Sequence, residues 1–489
     1  MLKTIIAGRK EAASADAGTR EWTPAIRWTL AGLSLSMLLS SLGTSVANVA
    51  LPALGQAFDA SFQQVQWVVL AYLLAVTTLI VSAGRLGDLI GRRRLFLAGI
   101  GVFTLASALC GVAPTLWLLI AARAAQGVGA AIMMALTMAF IGETVPKAQT
   151  GKAMGLLGTM SAIGTALGPS LGGMLIAGPG WRSIFFVNIP LGALAFLLAR
   201  RHLPVDRNGP DTGRAGFDHA GTLVLALALG AYALAMTIGR GNFGSVNIIL
   251  LLVAAIGTGL FALVEASAAS PLIRLAMFRD PVLSASLATN TLVSTVMMAT
   301  LVVGPFYLSR GLGLDATIVG VVMSAGPLVA ALTGVPAGRI ADRFGAQQVT
   351  IVGLCGIAAG SLVLSLLPAT SGVAGYLAPM VAVTAGYALF QTANNTAVMS
   401  EIIPEQRGVV SGMLNLSRNI GLISGASMMG AVFAHGAATV DIAAANPDAV
   451  AAGMRVTFAV AAALIVVALA VAAGSLAFGV RRPLHNEVS

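Results

Sequence analysis

The 26 residues from Thr29 to Leu54 contain no charged side chain. At 1.5 Å per residue such a run is long enough to cross the ~30 Å hydrocarbon core of a bilayer as a helix. Comparable runs begin near residues 29, 66, 95, 116, 154, 183, 220, 246, 283, 316, 348, 375, 409 and 456. In lipid only helices and closed barrels satisfy every backbone group, and continuous apolar runs of about 18 to 26 residues are not the ~10-residue alternating strands of a barrel. The expected fold class is an all-α polytopic membrane protein with fourteen transmembrane helices. Composition agrees, with 57% apolar residues and only 9% charged, where soluble proteins carry roughly a quarter charged.

The net charge of +10 is explained by topology. Every Lys and Arg falls in segments that would be cytoplasmic if both termini are inside, except Arg182, Arg240, Arg310 and Arg455 outside, and Arg123 and Arg418 within the fourth and thirteenth runs. The positive-inside rule therefore predicts a multi-pass protein of the cell (inner) membrane with cytoplasmic termini. Basic residues are not gathered on a soluble segment, so nucleic acid is not an expected partner. Cys110 and Cys355 each lie inside an apolar run without a CxxC spacing, which predicts buried, inert thiols and neither a disulfide framework nor a metal site. Residues 1–28 mix acids and bases with no apolar h-region, so no removable signal peptide is expected.

One internal repeat divides the chain. GRLGDLIGRR at 84–93 recurs as GRIADRFGAQ at 338–347, each directly after an apolar run and on the same predicted side. Two six-helix bundles follow, at 29–200 and 271–480. Between them stand a polar linker at 201–219 and an inserted helix pair at 220–270, and a tail occupies 481–489. In the first copy Gly84, Gly87 and Gly91 would let the backbone turn tightly between two helices, Asp88 offers a carboxylate, and Arg92 to Arg94 sit at the basic surface.

The apolar runs carry a few polar groups. Ser41, Thr44, Ser45 and Asn48 are spaced i, i+3, i+4 and i+7, one face of a helix. Arg123 lies deep in its run with Gln126 one turn on, and Arg418 lies deep beside Asn415 and Asn419. A guanidinium at such depth costs at least ~2.5 kcal/mol on insertion scales and should face a cavity or a partner. For Arg418 a structural pairing with backbone carbonyls is the alternative. Tyr387, Gln391, Asn394 and Asn395 on the twelfth run are either a cavity face or glue between helices. Tyr72, Trp67 and Asn290 are comparable candidates. The fifth run holds Gly155, Gly164, Gly168, Pro169, Gly172 and Gly173, where small residues at four-residue spacing allow close helix approach and the proline bends the helix.

These motifs together resemble the major facilitator superfamily, in its fourteen-helix drug:proton antiporter branch (family 2). GRLGDLIGRRRL resembles the superfamily's loop between helices 2 and 3, RAAQGVGAA (Arg123 to Ala131) its helix 4 motif, and the fifth run its antiporter motif. NVALP (Asn48 to Pro52) and WRSIFFVNIP (Trp181 to Pro190) resemble patterns of the branch. The resemblance implies a secondary active transporter without a cofactor, in which Asp88 and Arg92 latch the cytoplasmic side, Asp342 and Arg343 form a weaker counterpart, and Arg123 serves the substrate and proton pathway. It also implies a membrane acid in the first helix, at the position that is Gly43 here. No run centre carries Asp or Glu to replace it.

A cavity lined by Arg123 and Arg418 without a carboxylate has positive potential and disfavours a cation. The expected cargo is thus a neutral, zwitterionic or anionic amphipathic drug or metabolite, hydrogen-bonded by Ser41, Thr44, Ser45 and Asn48, with protons as a possible second partner and the chain acting as a monomer. A passive facilitator or a lipid flippase of the same fold is the alternative. Enzymatic chemistry is not expected, because His202, His219, His435 and His485 are scattered without a nucleophile or metal spacing, and no GxxxxGK[ST] segment supplies a nucleotide drive.

Overall fold

The computed structural model describes residues 23–146, 150–205, 219–238, 244–267, 275–368, 371–401, 407–438 and 445–480. Most of the linker, the N-terminal segment and the tail lie outside them, as do the side chains of Asp88 and Asp342. Among the described residues all regular structure is helical. The first cluster of helices comprises α1 (Pro24–Ala57), α2 (Phe62–Ile90), α3 (Arg92–Val112), α4 (Leu116–Thr144), α5 (Thr150–Ala177), the short α6 (Ser183–Phe186) and α7 (Asn188–His202). A pair follows, α8 (His219–Thr237) and α9 (Ser245–Ser267). The last cluster comprises α10 (Pro281–Phe306), α11 (Ala316–Phe344), α12 (Ala346–Ser365), α13 (Gly372–Glu401), α14 (Arg407–Ser424), α15 (Gly430–Gly436) and α16 (Pro447–Val480).

Short polar residues set the helix starts. Ser61 and Gln64 form a reciprocal capping box on α2, Thr115 caps α4, and Asp280 and Asp315 accept backbone N–H groups at the starts of α10 and α11. Among the described residues thirteen spans are long and apolar enough to cross a membrane, α6 and α7 together forming one of them. The run expected near 409 is helical but falls short of that apolarity, because α14 carries Asn415, Ser417, Arg418 and Asn419, and a π turn at Gly425–Met429 separates it from α15. On α9, Ile248, Ile249, Leu252, Ile256 and Leu263 are each more than half exposed. A surface of that kind suits lipid and would aggregate in water.

The repeat is differently built from the loop expected. Gly84 and Gly87 are helical, inside the last turns of α2, and Gly91 alone makes the turn, at φ 100°. Its counterpart Gly345 does the same at φ 88°. Gly87 is needed instead for packing, since a Cβ there would stand 2.5 Å from Leu136 of α4. Cys110 is buried as expected, but Cys355 is exposed on α12, because the apolar surface of that helix points outward at Val352, Leu362 and Val363.

The two clusters meet at the end of the molecule opposite Gly91 and Gly345. There α5 approaches α11 backbone to backbone: a Cβ on Gly173 would lie 2.5 Å from the Ala316 carbonyl oxygen and 2.9 Å from Gly320 Cα, and one on Gly320 would overlap the Pro169 carbonyl. Beside it Phe62 of α2 packs edge-on against Phe306 and Phe433, at centroid distances of 4.7 and 5.5 Å. Gln66 Nε2 donates to the Ala426 carbonyl at 2.8 Å.

Close glycine packing also joins α12 to α13, where a Cβ on Gly353 would stand 2.6 Å from the Phe390 backbone nitrogen. Gly353→Ala should lower stability by about 1–3 kcal/mol through overpacking. Gly101→Ala, with nothing within 4 Å of the new carbon, should raise it by up to about 1 kcal/mol through helix propensity. Thermal unfolding of the two purified variants decides; equal melting temperatures would contradict the packing.

Candidate functional site

Arg123 on α4 is fully buried. Its Nε donates to the Val68 carbonyl of α2 at 2.9 Å, Nη1 donates to Gln126 Oε1, and the guanidinium carbon stands 4.3 Å from the centroid of the Tyr72 ring. Gln126 is oriented in turn, donating Nε2 to Ser107 Oγ at 2.7 Å, and the Ser107 hydroxyl donates to the Phe103 carbonyl at 2.7 Å. Tyr72 is fixed by its hydroxyl, which donates to the Ser40 carbonyl of α1 at 2.8 Å. The expected pair of Arg123 and Gln126 is therefore assembled, and it extends to Tyr72 and Ser107. Nη2 has no hydrogen-bond partner, and no described contact of Arg123 is a carboxylate. A buried donor left open in this way costs about 1–3 kcal/mol, more for a charged group.

Gly43 faces this cluster. A Cβ there would lie 3.3 Å from the Phe103 ring and 3.5 Å from the Tyr72 hydroxyl oxygen. A side chain at position 43 would thus point at the aromatic plate on which Arg123 rests.

The polar stripe of α1 turns onto α5. Ser41 Oγ and Ser161 Oγ share a 2.7 Å hydrogen bond, and Ser45 Oγ donates to the Gly164 carbonyl at 3.2 Å. Thr44 and Asn48 bond back to carbonyls one turn earlier, at 3.1 and 3.0 Å, while Asn48 Oδ1 is buried without a partner. The glycine spacing on α5 explains this proximity. A Cβ on Gly164 would meet the Leu38 carbonyl at 2.6 Å, one on Gly168 would overlap the Ser45 hydroxyl, and one on Gly172 would press on Val46. Gly173 and Pro169 face the other way, onto α11.

In the last cluster, Asn394 is buried with Nδ2 unpartnered, in the wall of a crevice of about 30 Å³ lined by Ser286, Thr289, Gln347, Thr350 and Ser475. That volume suits one water molecule. Gln391 Nε2 donates to Asn395 Oδ1 at 3.5 Å, and its own Oε1 is buried and unpartnered. Arg418 is half-buried, with an unpartnered Nε, and Asn415 is half-buried three residues earlier. Asn290 bridges α10 to α14, donating to the Leu414 carbonyl at 2.9 Å and to Ser417 Oγ at 2.8 Å. Trp67 donates to Thr237 Oγ1 of α8 at 3.1 Å. Arg123 and Arg418 thus occupy separate clusters, with the α1 stripe against α5.

At the Gly91 end, Arg92 pairs with Glu143 of α4, within its own cluster. Arg343 lies exposed, its guanidinium carbon 5.4 Å from the Phe344 ring centroid. Sequence reasoning missed the contact of Phe62, Phe306 and Phe433 and the role of Gln66. The only signal was the polar FQQVQ segment opening the second apolar run.

The family model described as Major Facilitator Superfamily matches residues 33–426. The multidrug resistance protein Stp of Mycobacterium tuberculosis (strain CDC 1551 / Oshkosh) is 33% identical over 409 residues, covering 83% of this chain and 75% of Stp. The riboflavin transporter RibZ of Clostridioides difficile (strain 630) is 30% identical over 402 residues, covering 82% and 87%. In structure, a bacterial homolog of the human lysosomal transporter Spinster, in an inward-facing and unoccupied conformation, superposes with a TM-score of 0.66 at 16% identity, covering 95% of this chain and all of that one. With thirteen apolar spans among the described residues and this similarity along most of its length, the chain belongs to the Major Facilitator Superfamily and is a multi-pass membrane transporter with multidrug efflux relatives.

Proposed function

We propose that the chain is a fourteen-helix drug:proton antiporter lacking the first-helix acid, a monomer of the inner membrane with both termini cytoplasmic. It exports a small neutral, zwitterionic or anionic amphiphile. The bundles at 29–200 and 271–480 rock about a midplane site, with the pair at 220–270 inserted between them. The Gly91 end is cytoplasmic in this reading, Asp88, Arg92, Asp342 and Arg343 serve its gate, and the polar groups of α1, α4, α13 and α14 form the pathway.

The observation that carries the reading is Arg123: fully buried, supported by a carbonyl, an amide and an aromatic face, with one donor open and no acid among its described contacts. A group held at that electrostatic cost is a functional group by default. The open donor suits an acceptor on a cargo, and the absent acid disfavours a cation.

Proteoliposomes with an imposed pH gradient test this. Gradient-driven movement of neutral or anionic amphiphiles is expected, and none of a permanent dication; robust transport of the dication would overturn the charge selectivity, and indifference to the gradient would remove the coupling. Arg123→Ala should lose transport about tenfold or more, equivalent to about 1.4 kcal/mol, while the protein stays folded in the membrane.

Gly43→Asp should extend transport towards cations and, compared with Gly43→Asn, stabilise the protein. In an Arg123→Met background that stability difference should shrink by about 0.5–3 kcal/mol, the range for contacting residues. Additive effects in the cycle would separate position 43 from Arg123.

A further inference from the structure

The inserted helix α8 touches both clusters, and it does so in different ways. Toward α2 its contacts are directional: the Trp67 indole donates to Thr237 Oγ1 at 3.1 Å, and Ser82 Oγ and Thr222 Oγ1 share a hydrogen bond of 2.6 Å. Thr222 and Thr237 stand near opposite ends of α8, roughly 22 Å apart at 1.5 Å per residue. The helix is therefore fastened along α2 at two levels. Toward the last cluster Leu225 packs into a buried apolar group with Val410, Met413 and Leu414 of α14. Such contact has no preferred direction and lets surfaces slide. Tyr232 adds a directional contact on that side: its hydroxyl interacts with the side chains of Ser424 and Ser427. Ser427 spends its own proton on the Ile423 carbonyl at 2.7 Å, which leaves its oxygen to accept.

Ser427 lies in the π turn at Gly425–Met429, and Ser424 is the residue before it. A π turn widens the helix by one residue, and such turns collect at functional sites. The Ala426 carbonyl of the same turn accepts from Gln66 of α2, and Gly430 makes room for that amide, which a Cβ there would overlap. Thus α2 and α8 both grip one irregular turn of the last cluster, beside the packed rings of Phe62, Phe306 and Phe433.

We propose that α8 is a moving part of the gate at this end: it travels with α2, and Tyr232 and Gln66 together hold the π turn while the gate is shut. Release of both contacts frees the turn as the clusters part. The proposal rests on the transport reading only in taking this end as one that opens.

The test is the distance across each mouth of the full-length protein in nanodiscs, without cargo or gradient, read by double electron–electron resonance between nitroxide labels. Pro114→Cys and Asp448→Cys, both at exposed positions, label this end, and Ile90→Cys with Gln348→Cys, also exposed, label the Gly91 end, in a Cys355→Ser background that leaves only the buried Cys110. Tyr232→Phe, Gln66→Leu and Gly430→Ala should each raise the ratio of long to short distances at this end about two- to tenfold, the factor for one hydrogen bond. The Gly91 end should close in step. Trp67→Phe, which unfastens α8 from α2, should act in the same direction. Gln66→Leu and Gly430→Ala reach one contact by independent routes, so if either variant misfolds the other decides. Three outcomes overturn the proposal: distances unchanged in both Tyr232→Phe and Trp67→Phe, which confines the gate to Gln66 and the rings; a shift towards the short distance at this end; or broadening at both ends without exchange between two distances, which makes these contacts merely structural. Neither cargo nor gradient is involved, so failure here and failure of proton-linked export are separately visible.

Discussion

A guanidinium without a counter-ion among the described residues, enclosed by three helices of one bundle, sets the terms for everything around it. Arg123 is tolerated because its charge is spread over a backbone carbonyl, a glutamine and an aromatic face, and each of these is fixed by a further contact, Gln126 through Ser107 and Tyr72 through the Ser40 carbonyl. Remove that support and the cation has nowhere to go, since α2, α3 and α4 close over it. The same low dielectric that makes the group expensive makes any added charge nearby consequential.

Much of this was legible in the residues. The apolar runs specify helices because nothing else survives in lipid, and the depth of Arg123 followed from its place in one of them. The pairing with Gln126 followed from helical periodicity. What could not be read was which way each polar group turns. Ser41 and Ser45 share a face with Thr44 and Asn48, yet the glycines of α5 draw that face into helix packing. Gly84 and Gly87 read as turn residues, but a glycine in a helix and one in a turn look alike until the partner helix is known, and Leu136 is more than forty positions away. The meeting of Phe62 with Phe306 and Phe433 is likewise set by tertiary approach, with no local pattern to announce it.

The contact of Gly173 with Gly320 joins the two clusters through main chain alone. Interlocked side chains must change rotamer, one after another, before surfaces can slide; two bare backbones have no such teeth. In the proposed rocking of the halves, this point of α5 and α11 acts as a smooth bearing, and the friction of the movement falls elsewhere, on the aromatic contact of Phe62. A single methyl at either glycine would act as a shim, wedging the joint towards whichever conformation parts the two helices.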